Sequence, residues 1–140
     1  MGTKIIEKDL AYKLTGYCFN VQNDLGRFCK EKQYADKLEE EFKNNKVNYK
    51  REYKLSQMNQ SIEGNVVDFL IEDKIILDCK AKNFITKQDY FQIQRYLTAA
   101  NLELGLIVNF RDSHLKPKRV LNSALYSGHS DANSENSDRP

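Results

Sequence analysis

The stretch NVVDFLIEDKIILDCKA, residues 65–81, constrains the fold more than any other part of the chain. Two β-favouring runs, Asn65–Glu72 and Lys74–Ala81, meet at the polar turn Glu72-Asp73-Lys74, the pattern of a hairpin. A three-residue loop sets Ile71 against Ile75, Phe69 against Leu77 and Val67 against Cys79, so one face is apolar throughout. On the other face Leu70 meets Ile76, Asp68 meets Asp78 and Val66 meets Lys80. A two-residue loop would shift the register by one and mix charged with apolar positions on both faces. Three-residue loops are an established hairpin class.

That register carries a cost. Like charges directly opposite on neighbouring strands destabilise a sheet by roughly 0.2–1 kcal/mol even when solvated. Half-buried between helices, the Asp68–Asp78 pair costs more unless a cation sits between them or one carboxyl keeps its proton. A hard divalent ion removes the conflict, and Mg²⁺ favours one or two carboxylates completed by phosphate and water. Lys80 lies two residues beyond Asp78, hence on the same face, about 6–7 Å along the strand. From there it can orient a water or stabilise charge on a phosphorane, which suits metal-assisted phosphodiester chemistry. A lone Asp-x-Lys also ends many strands that catalyse nothing. The second Asp falling opposite is what points to a site.

The surroundings of the hairpin define its class. Leu10, Leu14, Tyr17, Cys18, Val21 and Leu25 recur at helical spacing over residues 9–25, with Asp9 placed to cap the start and Gly26 the stop. A second helix is predicted from about 30 to 45, its apolar stripe being Tyr34, Ala35, Leu38 and Phe42. The period then becomes two over residues 47–55, a half-exposed strand. After the hairpin, Thr86 and Asp89 resemble a capping box for a helix through about Ala100. Leu104–Phe110 is an apolar run with little alternation, as in the centre of a sheet. The expected order is α-α-β-β-β-α-β, an α/β fold with a mixed central sheet, a strand meander plus a further strand, flanked by helices. Residues 1–122 are expected to form one domain. Residues 123–140, rich in Ser, Asn and Asp, are expected to be a disordered polar, acidic tail.

Composition narrows the function classes. The chain holds 22 Lys and Arg against 20 Asp and Glu, and the tail's Asp131, Glu135 and Asp138 face only Arg139. The body is therefore +4 and the tail −2, compatible with a polyanionic partner but not demanding one. Cys18, Cys29 and Cys79 form no CxxC, and two histidines assemble no zinc-ligand spacing. Unpaired thiols of this kind suit a reducing compartment. The opening MGTKIIEKDLAYK lacks the apolar core of a signal peptide, and no run is long enough to span a membrane. The expectation is a soluble, cytoplasmic protein.

Further motifs accompany the hairpin in order. They are the heptapeptide Phe28-Cys29-Lys30-Glu31-Lys32-Gln33-Tyr34, the helix segment QIQRYLTAA from Gln92 and the strand GLIVNF from Gly105. Over roughly residues 5–120 the chain resembles the GxxExxY proteins, a branch of the PD-(D/E)XK nuclease-like superfamily. The resemblance implies a restriction-endonuclease-like fold. It implies a metal site from Asp68 and Asp78, with the Cys79 carbonyl as a further ligand and Lys80 as the catalytic lysine. By the same analogy Glu31 completes the acidic cluster and Gln92 faces the pocket. Two departures stand out: Phe28 replaces the family's first glycine, and Asp78 stands where Glu is more usual. Neither removes a carboxylate. Plainer roles are also open: Glu31 as an ion-pair partner of Arg27 or Lys32, Tyr34 as core, Gln92 as an ordinary helix-surface residue.

The expected activity is that of a Mg²⁺- or Mn²⁺-dependent endonuclease-like phosphodiesterase acting on DNA, with RNA the other candidate. The alternative is a non-catalytic nucleic-acid-binding or accessory module with the same fold. It would use Lys80, Lys82, Lys87, Lys116, Lys118 and Arg119 as phosphate contacts. A protein-interaction domain that docks through its acidic tail is a third. A single double-strand cut would favour a homodimer, for which the sequence shows no interface.

Overall fold

The structure, a computed structural model, describes residues 5–58 and 64–126. Helix α1 spans Lys8–Leu25 and α2 spans Glu31–Asn44; strands β1, β2 and β3 span Tyr49–Lys54, Val66–Ile71 and Ile75–Lys80. Helix α3, Lys87–Ala100, leads into β4, Leu104–Asn109, and then β5, Lys118–Leu121. The five strands lie in sequence order β1-β2-β3-β4-β5, antiparallel except for the parallel pair β3–β4 that α3 connects. This is the expected α/β architecture with one strand added. Residues 115–122, read from sequence only as a basic stretch, contribute β5 because Val120 is buried among the residues under α3 while its neighbours reach solvent.

Period-two alternation sorts the sheet into two faces. Phe69, Ile71, Ile75, Leu77, Cys79, Leu106 and Val108 pack under α1 and α2 with Leu14, Val21, Leu38 and Phe42. Leu70, Ile76, Ile107 and Val120 pack under α3 with Tyr90, Ile93 and Leu97. Strand β4 is buried at every residue, as a central strand covered on both faces should be. Gly105 is where α3 approaches closest: a Cβ there would lie 2.5 Å from Ile93 Cγ2.

The hairpin register holds for Ile71↔Ile75, Leu70↔Ile76 and Phe69↔Leu77. Beyond Phe69 it is modified. Asp68 Oδ2 accepts the Cys79 N–H at 2.7 Å, a side chain doing what a main-chain carbonyl does in a regular ladder. On the other side, β1–β2 pairing passes over Glu52, which adopts a left-handed φ of 48°. Val67, expected beside Phe69 and Cys79, instead joins Leu55 and Leu70 under α3. The irregularity at Asp68 and Glu52 re-aims the strand end.

The turn and caps follow local chemistry. Glu72 and Asp73 take φ of 54° and 55°, and Lys74 N–H donates to Ile71 O. Lys50 fastens the turn through Asp73 at 2.8 Å. The Thr86/Asp89 capping box forms as expected. Asp9 is not the cap of α1; it lies in the first turn, which starts one residue earlier. The expected acidic tail begins with a short 3₁₀ turn, Ser123–Tyr126, held by Ser123 on Gln94. The rest of that tail lies outside the described residues.

Candidate active site at the splayed end of the hairpin

The site forms where β2 begins and β3 ends. Asp78 and Lys80 follow Ile76 at two-residue steps on β3 and share its face, so both side chains project toward α3. Asp78 is 7% exposed. Its Oδ2 lies 3.2 Å from Lys80 Nζ, but the contact is not directed as a hydrogen bond, and this oxygen is enclosed without a donor. Burial first, then the charge of Asp68, pushes the Asp78 carboxyl up to about 7, against the downward pull of Lys80. For Lys80 burial favours the neutral amine, yet Asp78, Asp89 and Glu31 outweigh it and raise the ammonium's pKa above the usual lysine value. These two shifts oppose one another, since Lys80 gains from the very charge that Asp78 is reluctant to carry. The unmet demand lies with Asp78, whose enclosed Oδ2 makes no directed hydrogen bond beyond the Lys80 ion pair, whereas Lys80 also has Asp89 at 3.9 Å.

Asp68 approaches from the adjoining strand. It lines a cavity of about 280 Å³ together with Glu31, Lys32, Arg51, Glu52 and Cys79. Glu31, at the first turn of α2, therefore faces the same opening as Asp68, and its charge is felt at Lys80 and Cys79. The Cys79 side chain points into the α1/α2 core, where burial raises its thiol well above the usual value. Any part it plays as a ligand would be through its main-chain carbonyl.

From the other face α3 presents Asp89, Gln92 and Tyr96 at three- and four-residue steps, one stripe of the helix. Asp89 reaches Lys80 and also pairs with Lys82, and the Thr86 cap and Lys82 hold its carboxyl below the usual range despite partial burial. Burial and then the Asp78 charge raise the Tyr96 phenol. Gln92 is half-buried between the two. Asp89 and Tyr96 were not foreseen as site residues; Asp89 was read only as a cap. The signal was present in their spacing from Gln92.

The basic residues divide. Lys82 is engaged by Asp89, while Lys87 and Lys116 are exposed. Strand pairing puts Lys118 opposite Ile107, which lies opposite Asp78, so Lys118 shares the site's face about 10 Å across the sheet. Arg119 falls on the reverse face and donates to Ile6 O at 2.6 Å beside α1. A residue not anticipated, Asn109, is buried at the end of β4. It holds the chain leaving the site, accepting from Lys82 N–H and donating to Lys82 O at 2.7 Å.

The donor set fits a hard divalent cation in part. Two carboxylates meet at one strand end, one of them with a buried oxygen lacking a donor, and carbonyl, water and phosphate oxygens are the normal complement. Among the described residues no group of three or more His, Cys, Asp or Glu side chains converges tightly enough to hold a metal unaided. Glu31 therefore stands nearby rather than in a closed cage.

No curated protein and no solved structure gives a significant match to this sequence. No helix among the described residues is long and apolar enough to cross a membrane. The family profile of the PD-(D/E)XK nuclease superfamily, by contrast, matches residues 8–120, from the start of α1 into β5. With a match over most of its length and a mixed sheet carrying Asp68, Asp78 and Lys80 at one end, the chain belongs to the PD-(D/E)XK nuclease superfamily.

Proposed function

We propose that the protein is a metal-dependent phosphodiesterase that hydrolyses nucleic acid, DNA in the first instance, within the GxxExxY branch. The observation that carries this reading is the buried Asp78 Oδ2, without a donor and 3.2 Å from Lys80 Nζ. Burying this carboxylate beside Asp68 with one ammonium ion pair to offset the two charges carries a cost that a bound cation would remove. Asp68 and Asp78 would hold Mg²⁺ or Mn²⁺, with the Cys79 carbonyl beside them and Glu31 acting through the shared opening. The bound cation would supply charge neutralisation at phosphate and a more acidic water. Lys80, its charge secured by Asp78 and Asp89, orients that water and stabilises charge at the phosphorus. Gln92 and Tyr96 present polar groups to the same space from α3. The unit carrying this activity lies within residues 1–122, and the free cysteines suit work in the cytoplasm.

The test is a calorimetric Mg²⁺ or Mn²⁺ titration of the wild type and of Asp78→Ala, paired with cleavage of plasmid DNA. Metal binding and nicking that both vanish in the variant are expected. Identical titrations would remove the metal site. A second reading, a non-catalytic nucleic-acid-binding module, is favoured by one observation: no third carboxylate closes the cluster among the described residues. Binding to DNA without metal-dependent cleavage would support it.

A further inference from the structure

Two of the most exposed large apolar side chains stand on the loops that enter and leave the cleft. Phe28, 76% exposed, precedes Glu31 by three residues; Phe84, 78% exposed, follows Lys80 by four. Their loops are fixed by buried neighbours. Tyr34 accepts the Cys29 N–H at 3.2 Å and donates to Gly26 O at 2.5 Å, pinning the α1–α2 loop. Ile85 packs with the residues under α3.

Phe28 is flanked by two guanidinium groups. The guanidinium carbons of Arg27 and Arg111 lie 5.1 and 5.3 Å from its ring centroid. Each Nε is committed to the other residue's main chain, Arg27 Nε donating to Arg111 O at 2.8 Å and Arg111 Nε to Arg27 O at 2.7 Å. Arg111 comes two residues after Asn109, the strand partner of Lys80. Arg111 thus lies in the turn that closes on Asn109, with Asp112 N–H donating to Asn109 O.

An exposed ring beside guanidinium groups is the surface on which an unpaired base stacks while an adjacent phosphate is neutralised. A paired, stacked duplex offers no base face to such a ring. We propose that Phe28 and Phe84 take unpaired bases on either side of the cleft, with Arg27, Arg111 and Lys87 on the intervening phosphates. The substrate class is then single-stranded or locally melted nucleic acid. This deepens the nuclease reading and rests on it. Lys82 is excluded from the phosphate set because Asp89 already holds it.

The chain contains no tryptophan, so Phe28→Trp introduces a single indole at the proposed stacking position, excited at about 295 nm apart from the eight tyrosines. In EDTA, the full chain is titrated with oligothymidylate, with an abasic strand of equal length and with a hairpin duplex. The expected result is quenching by oligothymidylate and affinity at least tenfold above that for the duplex or the abasic strand. Phe28→Leu, Phe28→Ala and Phe84→Ala should each weaken oligothymidylate binding about tenfold at unchanged melting temperature and salt slope. Arg27→Ala and Arg111→Ala should each lower the salt slope by about 0.7. Tyr12→Ala, an exposed aromatic on α1, is the control that changes neither. Equal binding of duplex and single strand, or phenylalanine variants that bind as the wild type does, would overturn the proposal. Because hydrolysis plays no part in EDTA, the two readings fail separately. Stacking without Mg²⁺- or Mn²⁺-dependent cleavage would remove the nuclease activity alone, and cleavage without stacking would remove the substrate class alone.

Discussion

Asp78→Asn should make the protein more stable at pH 8 while removing its metal affinity. The carboxyl moves from 3.8 to about 7 on folding, through burial and the nearby Asp68. Below pH 4 both states hold the proton and nothing is lost. Between about pH 4 and 7 the folded state keeps a proton that the unfolded chain has released, so stability falls as pH rises; above about 7 the full penalty applies. At 1.36 kcal/mol per unit this amounts to about 4 kcal/mol at most. The amide substitution leaves Lys80 with Asp89 as its remaining partner at 3.9 Å, returning about 1 kcal/mol. Urea denaturation should therefore show Asp78→Asn more stable than wild type by about 2–3 kcal/mol at pH 8, and equal to it below pH 4. Asp68 and Glu31 on one side and Asp89 and Tyr96 of α3 on the other surround Asp78 and Lys80, so the comparison is made at fixed ionic strength. Saturating Mg²⁺ should stabilise the wild type by about 2.7 kcal/mol at a hundredfold excess over Kd and do little for the variant. Calorimetry in two buffers of different ionisation enthalpy should show about one proton released on binding at pH 6 and fewer at pH 8. An Asn variant less stable than wild type at pH 8, or a wild type whose stability is flat from pH 5 to 8, would refute the reasoning.

Asp68→Ala strips the acceptor from the Cys79 N–H and should cost about 1–3 kcal/mol in urea denaturation. Asp68→Asn, which keeps an acceptor, should cost less, while Mg²⁺ titration shows both variants impaired. Tyr34→Phe removes the hydroxyl that bridges Gly26 and Cys29, and a loss of about 1–2 kcal/mol in thermal melts is expected. No loss would mean that the ring's 4.4 Å stack on Phe110 does the anchoring alone. Arg51→Ala breaks the contacts to Asp36 and Glu39 at 2.7 and 2.9 Å that tie β1 to α2, and should lower stability by about 1–2 kcal/mol. Because Arg51 is only 17% exposed there, salt should reduce that difference only in part.

Most of the fold was legible because its signals are short-range. The alternation around Glu72-Asp73-Lys74 fixes the hairpin register, and the Thr86/Asp89 pair marks the start of α3. Strand β5 was missed because four residues containing a single buried side chain carry too little periodicity to register. Within the site, Asp78 and Lys80 were visible as one face of a strand, with Asp68 expected opposite Asp78, whereas the ladder stops at Phe69. Sequence could not show that Asp68 would bond to the Cys79 amide, since a regular ladder was the simpler expectation. Nor could it divide Lys118 from Arg119, because that depends on which carbonyls β5 finds on β4. Asp89 and Tyr96 already had sufficient local roles, which masked a tertiary one.

Gly105 sets the seat of α3 on the sheet. With Ile93 seated directly on its Cα, the gap between α3 and the sheet is set by an absence of side chain, not by the size of one. Asp89, Gln92 and Tyr96 ride on that same helix, so their reach to Lys80 and Asp78 is calibrated in the core, below the cleft. A methyl group there would act as a shim under the helix, tilting the polar stripe away from the lysine without touching either. In a chain this short, the tolerance of the cleft and the tolerance of the core are one mechanical specification, and a substitution remote from every polar group can detune the electrostatics of all of them.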